Sequence, residues 1–250
     1  MSNIVSNTEV TSPCISIKNV NKFFGKKQVL QDINLNIPNS KIFGLLGPSG
    51  SGKTTIVKMI AGIEVATTGS ISLLNEKMPN LSAMGKIGYM SQLDALYLEL
   101  TAEENMVFFS SLYGLKGASQ KKRILEVMEL VNLMDDLKRP VKVYSGGMRR
   151  RLSLAIALLH SPGVLILDEP TVGIDPVLRK SIWDELNVLR NNGTSILVTT
   201  HVMDEAEKCD TLAMLRDGKL IAVGSPEELK NNTSSDTLEK AFLHYGGATV

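Results

Sequence analysis

The chain is poor in the features that mark several protein classes. Its 250 residues include two cysteines, Cys14 and Cys209, far apart and outside any C-x-x-C pair. That usage points away from a disulfide framework or a zinc site and suits a reducing cytosol. An excess of one charge is also lacking: 27 Lys+Arg stand against 26 Asp+Glu, a formal net charge of +1. Bulk charge therefore makes no case for a nucleic-acid or membrane-lipid partner. No window approaches the ~18 continuous apolar residues that a spanning helix requires, so any membrane role is expected to come through a partner. Residues 1–13 are polar, with neither a basic start nor an apolar stretch, and read as a flexible tail rather than a secretory leader. The composition that remains, 43% hydrophobic and 21% charged, is that of an ordinary soluble globular protein.

What the chain does have is alternation. Ile15, Ile17 and Val20, then Val29-Leu30, then Ile33, Leu35 and Ile37 predict half-buried antiparallel strands. Ser40–Leu46, Ile71–Leu74 and Ile87–Met90 read as further strands, with a helix over Gly52–Gly62. From Thr101 to about Tyr144 the texture is helical. Thr101-Ala102-Glu103-Glu104 outlines a capping box before Val107, Phe108 and Leu112. After a break at Gly114 and Gly117, Ile124, Val127, Met128 and Val131 recur at helical spacing. The basic run Lys121-Lys122-Arg123 reads as a solvated helix face. Pro140 closes this block, and Met148, Leu152, Ala155, Ile156 and Leu159 mark one face of the next helix.

Val164–Leu167 is a continuous apolar run, as expected of a parallel strand covered on both faces. Ile182, Leu186 and Leu189 predict another helix, Ser195–Thr199 a buried strand, and Asp217-Gly218 a hairpin turn. Ser225-Pro226-Glu227-Glu228 starts a last helix with Ser at the N-cap and Pro at the first position. Strands alternating with helices predict an α/β core, and the helical block reads as an insertion into it.

Chemistry enters with Gly47-Pro48-Ser49-Gly50-Ser51-Gly52-Lys53-Thr54-Thr55, which fills every fixed position of G-x-x-x-x-G-K-[ST]. It lies between an apolar strand and a helix. Glycines there let backbone N–H groups line a concave anion site, and the helix N-terminus adds its dipole and unpaired donors. Lys53 can reach the β- and γ-phosphates of a nucleoside triphosphate, and the Thr54 hydroxyl can ligate Mg²⁺. Asp168-Glu169 ends the apolar run at the sheet edge that faces ligand. Asp168 would help hold Mg²⁺ there, and Glu169 would polarise a water for attack on the γ-phosphate. Tyr144-Ser145-Gly146-Gly147-Met148 is a second glycine-rich turn opening a second helix, hence a second candidate anion site.

These motifs, in this order, resemble the ATP-binding cassette ATPases, the nucleotide-binding subunits of ABC transporters. The resemblance runs from about Cys14 to Glu228. Gly47–Thr55 matches the Walker A loop and Asp168-Glu169 the Walker B segment with its catalytic glutamate. Phe24 matches the aromatic that stacks on adenine. Gln92 matches the Q-loop glutamine that contacts Mg²⁺ and the attacking water. Ser145, Gly146 and Gly147 match the phosphate-contacting positions of the signature, whose flanks here are Tyr144 for the usual leucine and Met148 for the usual glutamine. Gly173-Ile174-Asp175-Pro176 matches the D-loop and His201 the switch histidine. The variant signature resembles the branch that serves ABC-2-type exporter permeases.

The resemblance implies an α/β fold: a P-loop NTPase core with a mixed, largely parallel sheet, an N-terminal antiparallel β subdomain and an inserted α-helical subdomain. One ATPase domain is expected over 14–230, with the helical insert at 93–158 and a C-terminal tail at 231–250. The cofactors implied are ATP and Mg²⁺. The partners implied are a second ATP-binding subunit, joined head to tail, and an ABC-2-type transmembrane permease, which would place the protein on the cytoplasmic face of the membrane. Leu93, Leu96, Tyr97 and the Val107–Leu112 face are candidates for the permease groove. The competing reading is a soluble cassette ATPase acting on ribosomes or DNA. One motif set, a modest insert and neutral net charge weigh against it.

Overall fold

The computed structural model describes residues 12–92 and 95–247. Most of the tail expected over 1–13, and the groove candidate Leu93, lie outside the described residues. The described chain runs β1 (Ile15–Phe24), β2 (Lys27–Ile37), β3 (Ile42–Leu46), α1 (Lys53–Ile60), β4 (Thr68–Leu73), β5 (Glu76–Lys77), α2 (Leu81–Met84) and β6 (Ile87–Met90). It continues with α3 (Ala102–Leu112), α4 (Gly117–Leu130), α5 (Gly146–Leu158), β7 (Val164–Asp168), α6 (Pro176–Asn191), β8 (Ser195–Thr200) and α7 (Met203–Ala206). A hairpin of β9 (Thr211–Arg216) and β10 (Lys219–Gly224) precedes α8 (Pro226–Asn232) and α9 (Leu238–Tyr245).

Two sheets form. The smaller is antiparallel, in the order β2-β1-β4-β5. The larger has the order β10-β9-β3-β8-β7-β6 and is parallel except for β10 at one edge. The strands of its centre, β3, β7 and β8, are buried along their whole length. Their side chains divide between two cores. Phe43, Leu45, Val164, Ile166 and Leu197 face α1 and the smaller sheet. Ile42, Leu46, Leu165, Leu167, Ile196 and Val198 face the layer that includes α5, α6, α8 and α9. This explains the unbroken apolar runs of the sequence: a strand covered on both faces has no polar side.

Local signals are met in detail. Thr101 and Ser225 each close a capping box, with Glu104 and Glu228 returning the bond. Tyr144 is buried, and its hydroxyl donates to the Asp136 carbonyl at 2.7 Å. A tyrosine therefore fills the site usually given to leucine and adds a tether; burial pushes its pKa up to about 12. Met148, the other departure, packs against the core that α5 helps build.

Two expectations need correction. Arg123 is not part of a merely solvated face: it donates to the Leu158 and Leu159 carbonyls at 2.6 and 3.1 Å, satisfying the end of α5. The segment expected as a C-terminal tail includes α9, which buries Leu238 and Ala241 against the main core. Its apolar positions Leu238, Ala241 and Phe242 have helical spacing, but the segment is too short to stand out by periodicity.

The approach of α5 to β6 sets where the helical insert meets the core. A Cβ at Gly88 would lie 2.2 Å from the Ala157 carbonyl oxygen and 2.9 Å from side-chain atoms of Leu165 and Pro162. Only glycine fits there. Gly88→Ala is expected to lower the unfolding free energy by about 1–3 kcal/mol, the usual cost of overpacking. An unchanged urea midpoint and slope would contradict this close contact.

Candidate functional site

The site is built at the edge where β3, β7 and β8 end together. Register puts Leu46 opposite Thr200 and Asp168 opposite Thr199. The chain leaves β3 through Gly47, whose N–H donates to the Thr200 carbonyl at 3.3 Å. A side chain at Gly47 would strike the Leu215 carbonyl. Gly50 and Gly52 take φ of 82° and 109°, the left-handed region that favours glycine. Gly52 is the N-cap of α1 and offers no side chain to its first N–H groups. Those donors, with the helix dipole, are left for an external anion.

Lys53 is 4% exposed. Its ammonium donates to the carbonyls of Gly47 and Pro48 at 2.6 and 3.1 Å and stands 3.9 Å from a Glu169 carboxylate oxygen. Burial draws its pKa down, and the carboxylates of Glu169 and Asp168 push back up. In the same loop the Ser51 hydroxyl is buried with no hydrogen-bond partner among the described residues.

Asp168 is fully buried. One carboxylate oxygen accepts from the Thr54 hydroxyl at 3.3 Å and the Thr199 hydroxyl at 2.5 Å. The other has no hydrogen-bond partner among the described residues. A buried anionic oxygen beside a hydroxyl fits a hard cation. Among the described residues no cluster of three or more His, Cys, Asp or Glu could hold a metal by itself. A small divalent ion here would therefore be held by Thr54, Asp168 and phosphate oxygens together, the usual manner of Mg²⁺.

Glu169 takes φ of 54°, a left-handed conformation that costs energy for a residue with a side chain. Its N–H donates to both the carbonyl and the hydroxyl of Thr199, at 3.2 and 3.0 Å. This turn aims the carboxylate at His201, whose Nδ1 lies 3.1 Å away. A cavity of about 290 Å³ is lined by Phe24, Val29, Ser49, Gly50, Gly52, Lys53, Thr54, Thr55, Gln92 and Glu169. Asp168 and His201 join it through Thr54 and Glu169. Gln92 is exposed at its rim.

Ser145, Gly146 and Gly147 are not among the residues lining that cavity. Ser145 caps α5, its hydroxyl accepting from the Met148 N–H at 3.2 Å. Gly147 lies beside the loop that follows Glu169, where an added Cβ would stand 3.4 Å from the Gly173 carbonyl. Asp175, in that loop, caps α6.

The sequence reading missed three supporting groups. Arg150, on α5 and 6% exposed, donates to the Ser91 and Gln92 carbonyls at 2.7 and 3.0 Å. Its other terminal nitrogen donates to the carbonyls of Asp168 and Glu169, the latter at 2.7 Å. Glu205 is buried on α7, accepting from the hydroxyls of Thr171 and Thr200. Thr199 serves Asp168 and Glu169 as described. An unusually basic stretch, Arg149-Arg150-Arg151, was the only signal for Arg150, and no local pattern marks the other two.

The sequence pattern of a family described as ABC transporter matches residues 30–172. The chain is 39% identical over 236 residues to the probable multidrug ABC transporter ATP-binding protein YbhF of Escherichia coli (strain K12), covering 92% of this chain but only 41% of that protein. It is 38% identical over 227 residues to the linearmycin resistance ATP-binding protein LnrL of Bacillus subtilis (strain 168), covering 90% of this chain and 73% of that one. Among solved structures, the dimeric post-hydrolysis state of the ATP-binding cassette MJ0796 bound to ADP and Pi superposes with a TM-score of 0.79 at 28% identity. That match covers 84% of this chain and 98% of the cassette.

Arg150 ties the segment before the α3 entry to the end of β7, so its loss should be felt in stability. Arg150→Met is expected to lower the unfolding free energy by about 3 kcal/mol or more, since hydrogen bonds from a charged donor contribute ~1.5–3 kcal/mol each. Arg150→Lys should recover part of that. Equal urea stability of the methionine variant and the parent chain would contradict the bridging role.

Proposed function

This chain belongs to the ABC transporter family, and we propose that within it the protein is the ATP-binding and ATP-hydrolysing subunit, driving export through a separate membrane permease. One observation carries the reading. The chain has two anion cradles, Gly47–Thr55 at the start of α1 and Ser145–Gly147 at the start of α5, and the second does not line the cavity of the first. A single nucleotide on one chain has no use for both. Two copies placed head to tail would set the Ser145–Gly147 cradle of each over the nucleotide held by the other. The dimeric form of the related cassette bound to ADP and Pi supports this arrangement.

In this scheme the N–H groups of Gly47–Thr55 and the Lys53 ammonium bind the β- and γ-phosphates. Thr54, Asp168 and Gln92 would hold Mg²⁺, which when bound neutralises charge on the phosphates. Phe24 offers its ring to the base at the far side of the cavity. The Glu169 carboxylate, held by its turn and by Thr199, accepts the proton of the attacking water. His201 orients that carboxylate and stands ready for the γ-phosphate. Hydrolysis removes the group shared between the two subunits and lets them part.

Among the described residues no helix is long and apolar enough to cross a membrane, so transport would require the permease. A patch on the helical insert suits its docking. Tyr97 and Phe108 are exposed and meet edge to face at 5.0 Å, Phe108 and Phe109 at 5.2 Å, with Val107 and Leu112 exposed beside them. Leu96 instead packs against the core. Exposed aromatic clusters of this kind mark protein contacts. An ABC-2-type permease is the partner proposed, and the cytoplasmic face of the membrane the location.

Glu169→Gln removes the general base while keeping the shape of the side chain. The variant is expected to bind ATP and elute as a stable dimer in size-exclusion chromatography, with turnover reduced at least ~100-fold. Hydrolysis at the parent rate would overturn the role given to Glu169.

A further inference from the structure

Lys22 occupies an unusual place for a lysine near a surface. It is 8% exposed, on β1, two residues before Phe24. Burying an ammonium is costly unless its donors are used. Two of its three are: one goes to a Glu64 carboxylate oxygen and one to the Val65 carbonyl, both at 2.8 Å. The third has no oxygen acceptor among the described residues. The ammonium instead lies 4.6 Å from the centroid of the Phe24 ring.

Phe24 itself is 47% exposed and lines the cavity that holds Lys53 and Thr54. An exposed phenylalanine at the end of a strand would ordinarily sample several rotamers. Here one ring face is held by a fixed cation. Glu64 and Val65, which fix that cation, lie in the loop after α1, and the Ile63 and Glu64 N–H groups donate to the Lys58 carbonyl of that helix at 2.9 and 3.1 Å. The Thr67 hydroxyl and N–H lace the same loop to Phe23 and Asn21 at 3.0 and 2.9 Å.

We infer that Lys22 is a positioning residue for the nucleotide base: clamped by Glu64 and Val65, it holds one face of the Phe24 ring so that the other is presented to adenine. The inference rests on Phe24 being the base platform. A cation on one face draws π density toward itself and fixes the ring plane. The free face is then less negative and stacks better on an electron-rich purine, with less motion to lose on binding. Helix α1 thereby serves both ends of the ligand. Its N-terminus receives the phosphates, and the loop at its C-terminus, through Lys22, sets the platform for the base.

The test separates base from phosphate. Affinities of the full chain for ADP and for pyrophosphate, both with Mg²⁺, are measured by isothermal titration calorimetry for Lys22→Met, Lys22→Arg, Phe24→Ala and the Lys22→Met/Phe24→Ala double variant. Lys22→Met should bind ADP about three- to tenfold more weakly and pyrophosphate as the parent does. Lys22→Arg should restore ADP affinity, and the double variant should be no weaker than Phe24→Ala alone. Equal losses for ADP and pyrophosphate would mean a general structural role and overturn the inference. ADP affinity untouched in Lys22→Met but weakened in Phe24→Ala would overturn it while leaving the platform standing. ADP affinity untouched in Phe24→Ala would remove the platform reading itself, and the inference with it.

Discussion

The carboxylate of Asp168 sits fully buried at the end of β7, and the layout of the ligand-facing edge follows from how that charge is accommodated. An ionised carboxylate out of water costs several kcal/mol unless it is paired and hydrogen-bonded. Hydroxyls reach it from two directions, Thr54 on α1 and Thr199 on β8, and the Lys53 ammonium shares its field. Those partners are available because β3, β7 and β8 run parallel, with Asp168 paired to Thr199 and Leu46 to Thr200 on the next rung. Apolar cover on both faces keeps these strands out of water along their whole length. The second Asp168 oxygen, without a hydrogen-bond partner among the described residues, is then the natural place for a cation that arrives with phosphate.

The loops carrying Gln92, Glu169 and His201 are tied together by buried charged groups. Arg150 grips the backbone at Ser91, Gln92, Asp168 and Glu169 from a helix that begins at Ser145. Glu205 grips Thr171 on one side of the site and Thr200 on the other. A shift of α5, which begins at Ser145, therefore pulls on the backbone at Glu169, the proposed general base. The close contact at Gly88 makes β6 part of the same body. Such coupling suits the proposed exchange between events at a permease and hydrolysis.

Much of this was legible in the sequence. The glycines of 47–52 were legible as a loop opening α1 because the positive φ of Gly50 and Gly52 and the uncapped start of that helix are decided by neighbours in sequence. Thr101, Ser225 and the Asp217-Gly218 turn were legible because caps and tight turns are decided by neighbours in sequence. Val164–Leu167 announced a strand buried on both faces. What escaped were groups outside any motif whose partners are distant. Arg150 acts on carbonyls 18 and 59 residues away, and Glu205 on a hydroxyl 34 residues away. Lys22 reads as one more charge on a strand until the chain returns past it at Glu64, 42 residues later. Backbone carbonyls leave no signature in composition or period, so side chains that serve them become visible only in three dimensions.

We propose that a second copy of the chain completes the nucleotide site. Cys14 and Cys209 are both buried, so new surface thiols can be read without interference. A chain carrying Ser49→Cys is mixed with one carrying Gly146→Cys, and a short thiol-to-thiol crosslinker is added with and without ATP. Completion by a second copy predicts an ATP-dependent crosslinked pair of chains in the mixture and none from either variant alone. No pair in the mixture, with ATP bound, would contradict it.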